Sequence, residues 1–147
     1  MRTHSLTLII PFVAGTLILA GCGAKGSPRP NQRHPPNSCI VRAIDTKTIE
    51  ATLPTEDTQG NRLLGIEAVR VYYLPLGTSY PSPLGVFQQG EAILEHRRPD
   101  LPLPGKAIML DLSNFGRPAG WLVVVPFRVG DIAGVPSQVL PWIDPSF

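Results

Sequence analysis

The sequence has little with which to do chemistry. Its three His stand far apart, at His4, His34 and His96, whereas zinc needs three or four convergent ligands, typically paired by short spacing. The 11 acidic residues are scattered singly, apart from Glu56-Asp57, so no spacing suggests the two carboxylates that a glycoside hydrolase turns towards one cleft. No GxSxG elbow and no Gly-rich phosphate loop occurs. The expectation is a protein that is not an enzyme and has no metal or cofactor. Long helices are equally unexpected, because 17 Pro and 14 Gly interrupt 147 residues. Charge is sparse at 16%, but 43% of the residues are apolar. Broad disorder, which goes with low hydrophobicity and high net charge, is therefore excluded. One small folded domain is expected.

What is present divides into three segments. Met1 to Gly21 has a single firm positive charge, Arg2, and an uncharged run from Leu6 to Ala20. A transmembrane helix needs about 20 apolar residues, and Pro11 and Gly15 weaken a resident helix further. The pattern reads as a secretory signal rather than an uncleaved anchor.

Leu19-Ala20-Gly21-Cys22 closes that run and resembles the lipobox of bacterial lipoproteins. Small residues let an extended segment enter a narrow peptidase site, and a thiol supplies the soft nucleophile that can be alkylated to a thioether. The resemblance implies that Cys22 receives a diacylglyceryl group, that residues 1–21 are cut away, and that the new amine is acylated, commonly with palmitate. Two or three chains make attachment effectively permanent, since one alone binds only marginally. Cleavage elsewhere, leaving Cys22 an ordinary thiol, is the alternative. In such lipoproteins an Asp after the cysteine favours inner-membrane retention. Gly23 stands there, so the resemblance implies the periplasmic face of the outer membrane, or the outer face of the cell membrane if there is only one.

Residues 22–38 form the second segment, expected to be a disordered tether. From Gly23 to Ser38 it holds four Pro, two Gly, no aromatic and no acidic residue. It cannot make a core, and its Pro bias it towards extended polyproline II. Lys25, Arg29 and Arg33 give it charge for anionic headgroups, or simply keep it solvated. Cys22-Gly23-Ala24-Lys25-Gly26-Ser27-Pro28 also resembles the mature start of LptM-type lipoproteins, which assist maturation of the lipopolysaccharide translocon, although Ser27 departs from their Pro. That resemblance implies an alternative role, an accessory or assembly factor of an outer-membrane machine.

Residues 39–147 alternate with period two, the signature of strands. Ile49, Ala51 and Leu53 share one face while Thr48, Glu50 and Thr52 share the other. Val69, Val71 and Tyr73 repeat the theme opposite Arg70, and further strands are expected at 107–112, 121–129 and 138–143. Turn clusters separate them, including 57–61, 77–83, 98–105 and 114–120, with Gly130 to Gly134 as the last. Six or seven short strands read as an all-β sandwich. Pro126 predicts a bulge or an outward-facing gap in its strand, and Pro141 predicts an edge.

In size and order this segment is similar to an immunoglobulin-like, fibronectin type III-like domain of about seven strands. The resemblance implies strands at 39–45, 48–53 and 66–74, a Gly-x-x-Ser turn at Gly134 to Ser137, and inward-facing Trp121, Val123 and Val125. Many such domains carry a Trp where this chain has Leu53, so Trp121 would have to fill that volume.

Residues 39–147 carry all 11 acidic groups and nine of the 13 basic ones. The domain is thus slightly acidic, and no nucleic-acid partner is expected. Cys39 is expected as a buried small hydrophobe, with pairing between chains as the alternative. The functional lead is apolar residues in Pro-stiffened loops, Tyr80 to Leu84 and Pro99 to Pro104, where ordering costs little. They either pack on their own sandwich or meet a partner. The expected role is a lipid-anchored envelope module that binds or scaffolds another envelope component, most naturally a protein.

Overall fold

The computed structural model describes residues 33–77 and 79–143. Cys22, the signal and most of the expected tether lie outside the described residues. In chain order the elements are β1 (Ile40–Ala43), β2 (Thr48–Thr52), β3 (Ala68–Pro75), a helix α1 (Pro83–Gln89), β4 (Glu91–Arg97), β5 (Ala107–Asp111), β6 (Gly120–Arg128), β7 (Ile132–Ala133) and β8 (Leu140–Trp142). One antiparallel sheet has the order β1-β2-β5, and the other runs β4-β3-β6 with β7 and β8 both against β6. The expected all-β sandwich is the observed architecture.

Alternation places the core where the sequence puts it on β2 and β3. Ile49, Ala51 and Leu53 meet Val69, Val71 and Tyr73 between the sheets, joined by Leu110, Leu112 and Trp142. Fully burying an aliphatic side chain of this size stabilises by about 1.5–3 kcal/mol, so this layer is the main source of cohesion.

On β6 the expected parity is reversed. Leu122 and Val124 enter the inter-sheet core, whereas Trp121, Val123, Val125 and Phe127 face outward onto a second cluster. The reason is α1, which covers that outer face with Val86 fully buried and Phe87 edge-on to Tyr72, ring centroids 4.9 Å apart. A strand buried on both sides needs no polar face. Trp121 therefore does not fill the volume next to Leu53. Between the sheets the tryptophan is Trp142, near the Thr48 end of β2 rather than beside Leu53; its ring packs on Phe115 at 5.3 Å and its indole donates to the Arg117 carbonyl at 3.1 Å.

Three elements differ from the expectation: α1, β4, and the two-residue β7, which falls within the expected turn from Gly130 to Gly134 and pairs with Phe127 and Arg128. Seven residues are too few for an isolated helix, but α1 is capped by Ser82, whose hydroxyl accepts from the Gly85 amide at 3.0 Å, and Pro83 suits its first turn. β4 pairs with β3 across a register shift at Val71/Tyr72.

The boundary between tether and domain also moves. Residues 33–38 belong to the folded unit, because Pro lacks an N–H but keeps its carbonyl as an acceptor. Pro35 and Pro36 accept from the amides of Thr58 and Val135, both at 2.9 Å, and Asn37 donates to Glu56 at 3.1 Å. Gly134 allows this approach, since a Cβ there would sit 2.7 Å from the Pro36 oxygen.

Of the two prolines singled out within strands, Pro141 sits at an edge and Pro126 at a gap beside the central β6. The Pro126 carbonyl accepts from Gly134 at 2.7 Å, so its donorless side faces the stretch between β7 and β8, where regular pairing lapses. Pro141 lies on β8, which pairs only with β6 among the described residues.

Candidate functional site

Leu74 and Trp121 are register partners on β3 and β6, so both stand on the outer face of the larger sheet. There the chain leaves β3 at Pro75 and returns through Tyr80 to Ser82, the cap of α1. Tyr80 meets the Trp121 indole edge-on, with centroids 4.8 Å apart and planes at 69°. Although it touches that ring, Tyr80 remains 67% exposed.

A cleft of about 410 Å³ opens beside the pair, lined by Pro75, Ser79, Pro81, Ser82, Gln89 and Trp121 among others. One of these lining residues, Trp121, carries an unusual group. Nε1 of Trp121 is buried and has no hydrogen-bond partner, the only such side-chain nitrogen or oxygen among the described residues. A buried indole N–H usually finds an acceptor, and leaving a donor unmet costs about 1–3 kcal/mol. The indole, the prolyl walls and the Gln89 amide suit an extended peptide.

The sequence picked out part of this site. Tyr80, Pro81 and Leu84 were legible as apolar groups in a stiff loop, and Leu84 is 51% exposed. Trp121 was assigned to the wrong face, and its unmet donor has no sequence signal. The other stiff loop divides: Leu101 packs against the core, while Leu103 is exposed. A second cleft, of about 330 Å³, opens between the β1–β2 turn and β8 and is lined by Ile44, Leu122, Leu140 and Trp142 among others.

The ionisable groups are engaged in structure. Arg70 lies over the Phe127 ring at 4.2 Å and donates to Glu95 at 2.6 Å. Arg97 also reaches Glu95, and Asp131 joins both arginines. Hydrogen bonds from Arg70 and Arg97 hold the Glu95 carboxyl below the usual range. His96 lies on β4 opposite Val69. No group of three potential metal ligands occurs among the described residues. Asp57 is buried; burial works to raise its pKa, but the amides of Asn61 and Gln59 and the Asn61 side chain outweigh it and hold the pKa low. Cys39 is free and 3% exposed. Cys22 lies outside the described residues, so nothing here bears on it.

Comparison of the chain with protein-family models, with curated proteins and with solved structures finds no match.

Proposed function

We propose that this chain is a lipid-anchored lipoprotein of the bacterial cell envelope whose sandwich is a protein-binding module, taking an extended segment of a partner in the Trp121 cleft. The observation that carries the binding role is the open cleft lined by Trp121, Pro75, Pro81 and Gln89, with the exposed Tyr80 edge-on against the same indole. Peptide recognition commonly combines aromatic surfaces with stiff, low-entropy loops. The anchor rests on Leu19-Ala20-Gly21-Cys22, with Cys22 as the lipidated residue and Gly23 favouring the outer membrane. The order β1-β2-β5 facing β4-β3-β6, with the last strand beside β6, supports a fibronectin type III-like reading.

Crosslinked pull-down from intact envelopes tests the module. Trp121→Ala removes the aromatic wall of the cleft and should weaken capture about 10-fold or more, the usual loss at an aromatic anchor. Tyr80→Ala should reduce it as well. Undiminished capture by both variants would overturn the cleft as the binding site. Partners retained after deletion of residues 39–147 would favour the alternative role as an assembly factor acting through Cys22 to Lys25. Palmitate labelling that survives Cys22→Ala would refute the anchor.

A further inference from the structure

At the end of β6 opposite the Trp121 cleft, three arginines converge where the chain enters the domain. Arg98 spreads its guanidinium over Gly65, where any Cβ would collide with it, and its Nε donates to the Ile66 carbonyl at 3.1 Å. Arg128 donates to the His34 carbonyl at 2.9 Å and meets the buried Asp57 at 3.4 Å. Arg33 reaches towards the Val129 carbonyl at 3.5 Å. Together with Leu64, Gly65 and Val129 they line a shallow cleft of about 250 Å³ whose lining includes no acidic residue.

At this pole two arginines without a carboxylate share one cleft. Arg42, Arg70, Arg97, Arg117 and Arg128 each have a carboxylate partner. Among the described residues, Arg33 and Arg98 make no ion pair, as is also true of the singly placed Arg62, Lys47 and Lys106. Beside them Leu64 is 88% exposed and Val129 50%. Two uncompensated guanidinium groups next to two bare aliphatic side chains match an anionic lipid surface. Guanidinium pairs with phosphate bidentately, while aliphatic tips enter the boundary between headgroups and acyl chains.

The length of the tether points the same way. Cys22 precedes Arg33 by 11 positions, a reach of at most about 40 Å when fully extended. An anchor at Cys22 would join the domain at this pole and not at the Trp121 end, and so favours this pole for contact with the bilayer. At such confinement the effective concentration is high, so about 1 kcal/mol per basic residue suffices to bias orientation. We propose that the Arg33–Leu64–Arg98–Val129 pole docks on anionic phospholipid and turns the Trp121 cleft away from the membrane. The proposal rests on the lipid-anchor reading.

The test uses the full lipidated chain carrying Leu64→Cys labelled with an environment-sensitive dye, since Cys39 is buried. In phosphatidylcholine vesicles containing about 30% phosphatidylglycerol, dye emission should shift to the blue and rise about twofold over pure phosphatidylcholine. Roughly 0.5 M salt should reverse the change, and Arg33→Glu with Arg98→Glu should abolish it. A dye at Leu76→Cys, beside Ala119 at the far end of β6, should not respond. Flotation with both vesicles but identical emission would overturn the docking surface alone. Failure to float, with an unmodified Cys22 by mass, would overturn the anchor and this proposal with it. A shift with polyglutamate but not with anionic vesicles would assign the pole to an acidic protein and overturn it as a lipid site.

Discussion

Ser137 and Val124 exchange two hydrogen bonds: the Ser137 amide donates to the Val124 carbonyl at 2.9 Å, and the Val124 amide donates to the Ser137 hydroxyl oxygen, also at 2.9 Å. A side chain thus takes the place of a strand carbonyl. The substitution falls between β7 and β8, beside Pro126, where β6 has no regular partner on the side away from β3. The hydroxyl then donates to the Gln138 carbonyl at 2.9 Å, so it is satisfied in both directions although Ser137 is fully buried.

Ser137→Ala removes the acceptor and leaves a buried backbone N–H unmet. The expected loss is about 1–3 kcal/mol. Thermal unfolding should show Tm lower by roughly 4–15 °C.

Gly134→Ala should detach residues 33–38 from the domain. The new Cβ would press on the carbonyl oxygens of both Pro36 and Pro126, at 2.7 and 2.9 Å, and these are backbone atoms that cannot swing aside. Hydrogen exchange should then speed up at the Thr58 and Val135 amides, which donate to Pro35 and Pro36. Unchanged protection at both amides would count against it.

The Cys39 thiol should resist modification in the native protein. Burial pushes its pKa up from 9.0 to about 12, so little thiolate forms and access is closed. Mass spectrometry of the Cys39 peptide should show alkylation only after denaturation. Because the folded pKa is the higher one, the stabilising contribution is complete below pH 9.0 and fades as pH rises towards 12. Tm should therefore fall more steeply over that range in the wild type than in Cys39→Ala.

Asp57 has the opposite sign. Its folded pKa is lowered, so its contribution is complete above the ordinary carboxylate value of about 4 and is lost as pH falls through the lowered one. Glu95 and Asp111 are lowered too, and Asp57→Asn separates their share. Tm should drop less between about pH 4 and pH 2 in the variant than in the wild type. At neutral pH the variant should itself be less stable, because Arg128 loses its only carboxylate partner among the described residues.

Legibility in the sequence followed the number of buried faces. β2 alternates cleanly because one side is dry and the other partly wet, its pattern being half-buried at Thr48, Glu50 and Thr52. β6 is buried from Gly120 to Phe127 except at Trp121, and a continuous apolar run has no period from which to read a face. That is why Trp121 was turned the wrong way. β4 was invisible for a related reason: at an edge, with a register shift opposite it, Glu91–Arg97 alternates poorly and carries charge. α1 contains Pro and Gly within seven residues, so propensity argued against it, and only Ser82-Pro83 marked its start. Of the binding cleft, Tyr80 and its prolines were legible by composition, whereas Trp121 and Gln89 join them only through tertiary packing. Net charge concealed the arginine pole as well, because ion pairing is decided one residue at a time.

The described chain enters beside Arg128 at one end of β6, where His34 accepts from that arginine, and leaves through β8, paired with Gly120 to Leu122 at the other. A pull applied between these two points runs along the strands rather than across them. The hydrogen bonds of the β3–β6–β8 ladder then carry load together, in shear, and cannot be opened one after another like a zip. Survival under load depends on the rate of forced unfolding rather than on equilibrium stability, and this placement of the two ends favours a slow rate.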